Sequence, residues 1–160
     1  MEVSYDKYSL MVDGKRIFIK SGAFHYFRTP GVEMARDRFL KMKAGGYNTV
    51  DIYFNWNYHS PAQGVYDFSG IKDVRKVLQA AKDAGLFVIA RPGPFINAEV
   101  NAGGLPFWLL KNSIIGAIIL YIINFIGIFT IKITFIHCLI VGVFGIPGIV
   151  GLLIYLNFIK

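Results

Sequence analysis

The sequence predicts an α/β fold, a leading β-hairpin followed by a β-α-β-α-β series, which then gives way to a hydrophobic helical tail. Three observations carry this. Two short apolar runs flank Asp13-Gly14, strand-like and helix-like patterns alternate up to about residue 110, and charge all but vanishes beyond that point. Alternation of this kind builds a parallel sheet with crossover helices. An open doubly wound sheet and a (β/α)8 barrel both begin in this way.

Residues 8–12 and 16–20 are the paired runs, and Asp-Gly between them is a strong hairpin signal because both residues tolerate positive φ. Residues 21–27 (SGAFHYF) follow as a further strand. Residues 30–44 carry Met34, Phe39, Leu40 and Met42 at mixed helical spacing and stop at Gly45-Gly46. Residues 49–54 (TVDIYF) are rich in β-branched and aromatic side chains and read as a strand. Ser69 is placed to cap a helix whose apolar stripe is Ile71, Val74, Val77, Leu78 and Ala81, closed by Gly85. Residues 86–90 (LFVIA) are wholly apolar, as in a parallel strand covered on both faces.

With 160 residues the chain has length for about one domain. An apolar share of 54% excludes disorder, and the single Cys138 excludes a disulfide scaffold. The net charge of +7 does not point to nucleic acid. Basic residues alternate with acids, and the densest group, Arg36, Arg38, Lys41 and Lys43, falls on an expected helix and reads as a solvated face. No G-x-G-x-x-G follows a strand, and no Walker-type loop is present. The amino-terminal MEVSYDKYSL lacks the apolar core of a secretory leader, so any export or insertion is expected from the carboxy-terminal half.

Polar and aromatic residues crowd the expected carboxy-terminal ends of the strands. His25-Tyr26-Phe27-Arg28 follows the first, Tyr53 to His59 (YFNWNYH) the second, and Arg91 to Glu99 (RPGPFINAE) the third. Barrel active sites are built from such loops. Tyr and Trp offer flat faces with a polar edge, and Asn and Glu exchange hydrogen bonds with hydroxyls. The mixture suits carbohydrate better than phosphate, although aromatics that merely fill a barrel mouth would look the same.

The segments SGAFHYFRTP, DRFLKMKAGGYNTVDIYFNWNYHSPAQGVYDFSG and GLFVIARPGPFINAEVNAGGLPFWLL resemble, in order and over about residues 5–110, the amino-terminal part of glycoside hydrolase family 35, the β-galactosidases. The resemblance implies a (β/α)8 barrel, of which residues 1–111 would be an incomplete amino-terminal portion of about three βα units. It also implies retaining hydrolysis of terminal β-galactosides, with no metal or organic cofactor. By this resemblance Tyr53, Asn97, Ala98 and Glu99 contact the sugar, Ala98 through its backbone. Ser60 stands where many members have a glutamate, and Val100 where a tryptophan is frequent.

No catalytic residue is assigned. A retaining glycosidase needs two carboxyl groups about 5–5.5 Å apart. The resemblance implies an acid/base after the fourth strand and a nucleophile after the seventh. The glutamates here are Glu2, Glu33 and Glu99, none at those positions, and Asp51 lies inside a strand. A barrel of this kind takes about 250 residues. The expectation is therefore a β-galactosidase-like chain inactive by itself, with three strands unable to close a barrel.

Fifteen of the 17 Lys+Arg and all ten acids lie in residues 1–111, whereas residues 112–160 hold only Lys132 and Lys160. Residues 114–131 and 133–159 are uncharged except at Lys132 between them, long enough for one or two membrane-spanning helices with a turn near Lys132 and a kink at Gly145-Ile146-Pro147-Gly148. A lipid bilayer is thus the expected partner of residues 114–159, and a membrane the expected location. Asn124 and His137 read as polar passengers, and adjacent His137-Cys138 is not metal-ligand spacing. A translated A/T-rich non-coding stretch would have a similar composition, which leaves a gene-model product as the other reading of the tail.

Overall fold

The computed structural model describes residues 1–126 and 133–156, and these cluster into two compact units. The first comprises residues 1–54 and 68–93, and the second residues 55–67 and 94–160.

The first unit opens with an antiparallel meander of β1 (Val3–Tyr5), β2 (Leu10–Val12) and β3 (Lys15–Ile17). The expected hairpin is β2–β3. Val12 pairs with Lys15, and Asp13 and Gly14 take φ of 49° and 73°, the two positive values a type I′ turn requires. Both strands are shorter than the runs read from the sequence, and β1 was not anticipated. Asp6 closes the β1–β2 turn. Its carboxylate accepts from the backbone N–H groups of Tyr8 (2.8 Å) and Ser9 (2.9 Å) and from both arms of the Arg16 guanidinium (3.0 and 2.5 Å).

The Arg16 fork, helped by the two backbone donors, holds the Asp6 carboxyl well below the usual carboxylate range. A depressed folded-state pKa gives stability that is fully present above the unfolded value of about 3.9 and is lost as pH falls toward the folded one. Asp6→Asn should therefore be less stable than the parent at neutral pH, with the gap closing as the solution is acidified below about pH 4. Paired denaturant titrations at several pH values test this, and a gap that ignores pH would refute it.

The parallel sheet follows, in the order β4 (Ser21–Phe24), β5 (Thr49–Phe54), β6 (Phe87–Pro92), with Ser21 opposite Thr49 and Thr49 opposite Phe87. α1 (Val32–Ala44) joins β4 to β5, and α3 (Val74–Asp83) joins β5 to β6. The expected β-α-β-α-β order is observed. β4 ends earlier than expected, because Tyr26–Arg28 fold into a 3-10 turn. Side chains alternate across the sheet. Phe24, Val50 and Ile52 face the helices, where Phe39 of α1 is fully buried and meets Phe24 edge-on at 4.7 Å. Gly22 lets α1 come close, since a Cβ there would lie 3.0 Å from the end of Met42. Asn48 fastens the approach to β5, accepting from Lys20 N–H (2.9 Å) and donating to Phe18 C=O (2.7 Å).

Two expectations are corrected. Asp73, not Ser69, caps α3, accepting from the N–H groups of Arg75 and Lys76. Ser69 instead precedes a separate 3-10 turn, Gly70–Lys72, which opens with Gly70 at φ 54° and ends at Asp73, so Ile71 lies before α3 and is 59% exposed while Val74, Val77, Ala80 and Ala81 form the buried stripe. The third parallel strand is not covered on both faces either. β6 is a sheet edge among the described residues, and Val88 is 36% exposed.

The second unit contains the short helix α2 (Trp56–His59), the loop of residues 94–104, and α4 (Phe107–Ile126), α5 (Phe135–Phe144) and α6 (Ile146–Ile154). The tail is helical, as expected. α4 starts earlier than the expected span and runs unbroken through Lys111. The second apolar run is broken where Gly145 takes φ 63° and Pro147 enters the first turn of α6. Of these helices only α4 is long and apolar enough to cross a membrane. Leu120, Val141, Ile149 and Leu152 form the core of the three helices. The expected turn near Lys132 and the end at Lys160 lie outside the described residues.

Candidate functional site

Parallel strands deliver their carboxy-terminal residues to one edge of the sheet, where loops gather side chains. In the first unit that edge holds His25, Tyr53 and Arg91, one from the end of each strand. Tyr53 lies opposite Arg91 in the β5–β6 register, and Asp51 lies two residues earlier on the same face. The His25 ring stacks on Tyr53 at 5.0 Å and 25°. The Arg91 guanidinium also sits over that ring, 4.3 Å from its centre, and donates a hydrogen bond to the Tyr53 hydroxyl. Arg91 also stands 3.9 Å from an Asp51 carboxylate oxygen. The second Asp51 oxygen is buried without a hydrogen-bond partner. Behind the row, buried Tyr26 packs edge-on against Phe27 and Phe54. The ensemble presents a flat aromatic pair, a fixed phenol and an unsatisfied acceptor, which is chemistry for a polyhydroxylated ring.

Asn97, Ala98 and Glu99 belong to the second unit. Asn97 and Glu99 are exposed, and Ala98 is buried. Their loop is folded on itself. Ile96 N–H donates to Gly103 C=O at 2.7 Å, and Ala98 N–H donates to Ile96 C=O at 3.0 Å, so the Ala98 amide already has a partner within the loop. Glu99 itself has φ 50°, and Ala102, Gly103 and Gly104 continue with positive values. A Cβ at Gly103 would fall 2.0 Å from the Phe95 ring, so the turn closes only around glycine. A non-glycine residue held in the left-handed region costs free energy and persists only where its surroundings fix it. Glu99 therefore has its direction set by the loop.

Asn55 caps α2 by accepting from Tyr58 N–H, and buried His59 shares its Nδ1 with the Asp67 carbonyl at 2.9 Å. Ser60 is also buried, its hydroxyl accepting from the Trp108 indole at 3.2 Å, and Trp108 meets Trp56 edge-on at 5.7 Å. These groups brace the loop after β5 within the second unit. Among the described residues no three His, Cys, Asp or Glu side chains gather as metal ligands would.

Residues 9–117 match the sequence profile of the glycosyl hydrolases family 35. The chain belongs to that family. It is 46% identical over 115 residues to a probable beta-galactosidase C of Talaromyces marneffei, covering 71% of this chain and 12% of that protein. It is 50% identical over 108 residues to a probable beta-galactosidase C of Aspergillus flavus, covering 67% and 11%. The chain thus spans about an eighth or less of the length of these family 35 relatives. A crystal structure of an endogalactoceramidase aligns at TM-score 0.44 and 21% identity, over 54% of this chain and 21% of its own.

Sequence reasoning assigned Tyr53 but not the residues that hold it. His25 and Arg91 were visible only as members of polar, aromatic clusters. The available signal was parity. Residues at the last inward positions of three consecutive strands fall in one row once the β5–β6 register is known.

Proposed function

We propose that this chain forms the first βα units of a β-galactosidase-type (β/α)8 barrel and supplies the sugar-contacting face for a terminal β-galactoside. The observation that carries the reading is the row His25, Tyr53 and Arg91, with Asp51 beneath it, at the carboxy-terminal edge of three parallel strands in a family 35 segment. Tyr53 meets the sugar through its hydroxyl, and by the family resemblance Asn97, Ala98 and Glu99 of the second unit are sugar-contacting positions as well. Both relatives described above carry the name beta-galactosidase.

Hydrolysis with retention takes a nucleophile and an acid/base about 5–5.5 Å apart. Residues 1–160 contain only Glu2, Glu33 and Glu99 as glutamates, and Glu99 is given to sugar binding. One carboxyl group serves at most as a general acid or base, a gain of about 10²–10⁴-fold. The polypeptide of residues 1–160 should therefore release nitrophenol from nitrophenyl β-galactoside without approaching ordinary enzymatic turnover of about 1–10³ s⁻¹. It should bind methyl β-galactoside in preference to the glucoside, and Tyr53→Phe should weaken binding about fivefold, the worth of one neutral hydrogen bond. Full turnover, or equal binding of both sugars by both proteins, would overturn the reading.

The exposed face of α4 supports a bilayer location for the same chain. Its 20 residues make a helix of about 30 Å, the thickness of a hydrocarbon core. Ile114, Ile118, Tyr121 and Phe125 all lie exposed along it, an unfavourable arrangement in water. Flotation of the chain with phosphatidylcholine vesicles, resistant to alkaline carbonate, is the expected result. Recovery in the soluble fraction would refute the location and leave the carbohydrate reading standing.

A further inference from the structure

The geometry points to Arg91 as a positioning residue that makes the Tyr53 hydroxyl a hydrogen-bond donor, and only a donor, toward the sugar. The inference rests on the carbohydrate reading of Tyr53 and adds to it the polarity of the contact.

A phenol has one O–H to give and an oxygen that accepts. A guanidinium has donors and no acceptor. Where Arg91 donates to the Tyr53 oxygen, one lone pair of that oxygen is taken, and the adjacent guanidinium charge disfavours a second incoming donor. The remaining capacity is the O–H, which points away from Arg91. The arrangement is fixed from three sides. The guanidinium carbon lies over the ring, 4.3 Å from its centre, the His25 ring stacks on it at 5.0 Å, and Asp51 stands 3.9 Å from the guanidinium on the next pair of the same sheet face. Register places Arg91 directly across from Tyr53, so the contact is set by the backbone ladder rather than by a flexible loop. A lysine could supply the charge and a donor to the hydroxyl, but not the flat fork that covers a ring and reaches its hydroxyl together.

The sugar oxygen that meets Tyr53 therefore accepts. Ring-substituted galactosides separate accepting from donating oxygens, because fluorine in place of a hydroxyl keeps a weak acceptor and removes the donor, whereas hydrogen removes both. The test uses the full chain of residues 1–160 in lipid nanodiscs. Binding of methyl β-galactoside and its deoxy and deoxyfluoro analogues is followed by ligand-observed NMR, alongside the Tyr53 ring carbon bearing the hydroxyl. One ring position should lose about fivefold or more in affinity on deoxygenation and distinctly less on fluorination. Tyr53→Phe should abolish that difference. Arg91→Met should shrink it to within about twofold and shift the Tyr53 resonance, and Arg91→Lys should restore part of both. A fluoro/deoxy ratio indifferent to Arg91→Met would overturn the proposal, as would equal losses for fluoro and deoxy analogues at every position. If no galactoside binds the parent chain, the carbohydrate reading fails, and the Tyr53 resonance alone then decides whether Arg91 holds the hydroxyl: a shift in Arg91→Met supports it, and none refutes it.

Discussion

Phe39→Ala should destabilise the βα unit by about 3–5 kcal/mol, the range for removing a buried aromatic side chain. Phe39 is fully buried, and its ring meets that of Phe24 at 4.7 Å. It is the large side chain through which α1 covers β4. A loss of that size is a large part of the roughly 5–15 kcal/mol that holds a whole domain together. The consequence reaches the row His25, Tyr53 and Arg91, because Phe24 and His25 are neighbours in sequence. One faces the helix, and the other stacks on Tyr53 at 5.0 Å. Phe39→Leu keeps most of the volume and should cost about 1.5 kcal/mol or less. Denaturant unfolding of the two variants, with galactoside binding measured on each, makes the comparison. An alanine variant within 1 kcal/mol of the parent would mean that α1 is not what holds β4 in place.

The same contact shows what was legible beforehand. Phe39 stood out in the sequence as an apolar position of an expected helix, and TVDIYF was read as a strand with the bounds β5 has. The Asp13-Gly14 turn was equally legible, since few dipeptides suit two consecutive positive φ angles. The cap of α3 was not. Ser69 and Asp73 are both good capping residues four positions apart, and what decides between them is the backbone of Gly70 at φ 54°. The exposure of β6 was hidden for a different reason. An all-apolar run indicates a buried strand but does not identify what buries it, and Val88 stays open at a sheet edge. Arg91 was legible only as one member of the polar cluster after the third strand, and only the pairing Tyr53↔Arg91 turns it into a ring-covering contact. The tail was legible as helical from composition alone, and the kink at Gly145-Ile146-Pro147-Gly148 with it, but Gly142 and Gly151 looked alike. The structure separates Gly142, crowded against α4, from Gly151, which has open space around it.

That difference sets the second large effect. Gly142→Leu should force α5 away from α4, whereas Gly151→Leu should be tolerated. A Cβ at Gly142 would lie 2.1 Å from the Ser113 hydroxyl and 3.1 Å from both the Leu109 carbonyl oxygen and the Ser113 nitrogen. The hydroxyl can turn aside, but the backbone of α4 cannot. Ser113 is also tied back to the Leu109 carbonyl at 2.8 Å, which leaves it little room. The remaining leucine atoms would have to go where α4 already is, and overpacking of this kind costs about 1–3 kcal/mol even where side chains can adjust. In lipid the cost matters more to the assembly, because helices there associate through close packing and not through exclusion from water. Spin labels at exposed Tyr121 and Phe144 would report the α4–α5 distance in nanodiscs. The expected outcome is a lengthened or broadened distance for Gly142→Leu and an unchanged one for Gly151→Leu. A chance translation product has no reason to place its small residues where two backbones touch, so equal behaviour of the two variants would count against a selected helix pair. A response confined to Gly142 would mean that the tail is packed by design of its sequence, with Gly142 as the point of closest approach.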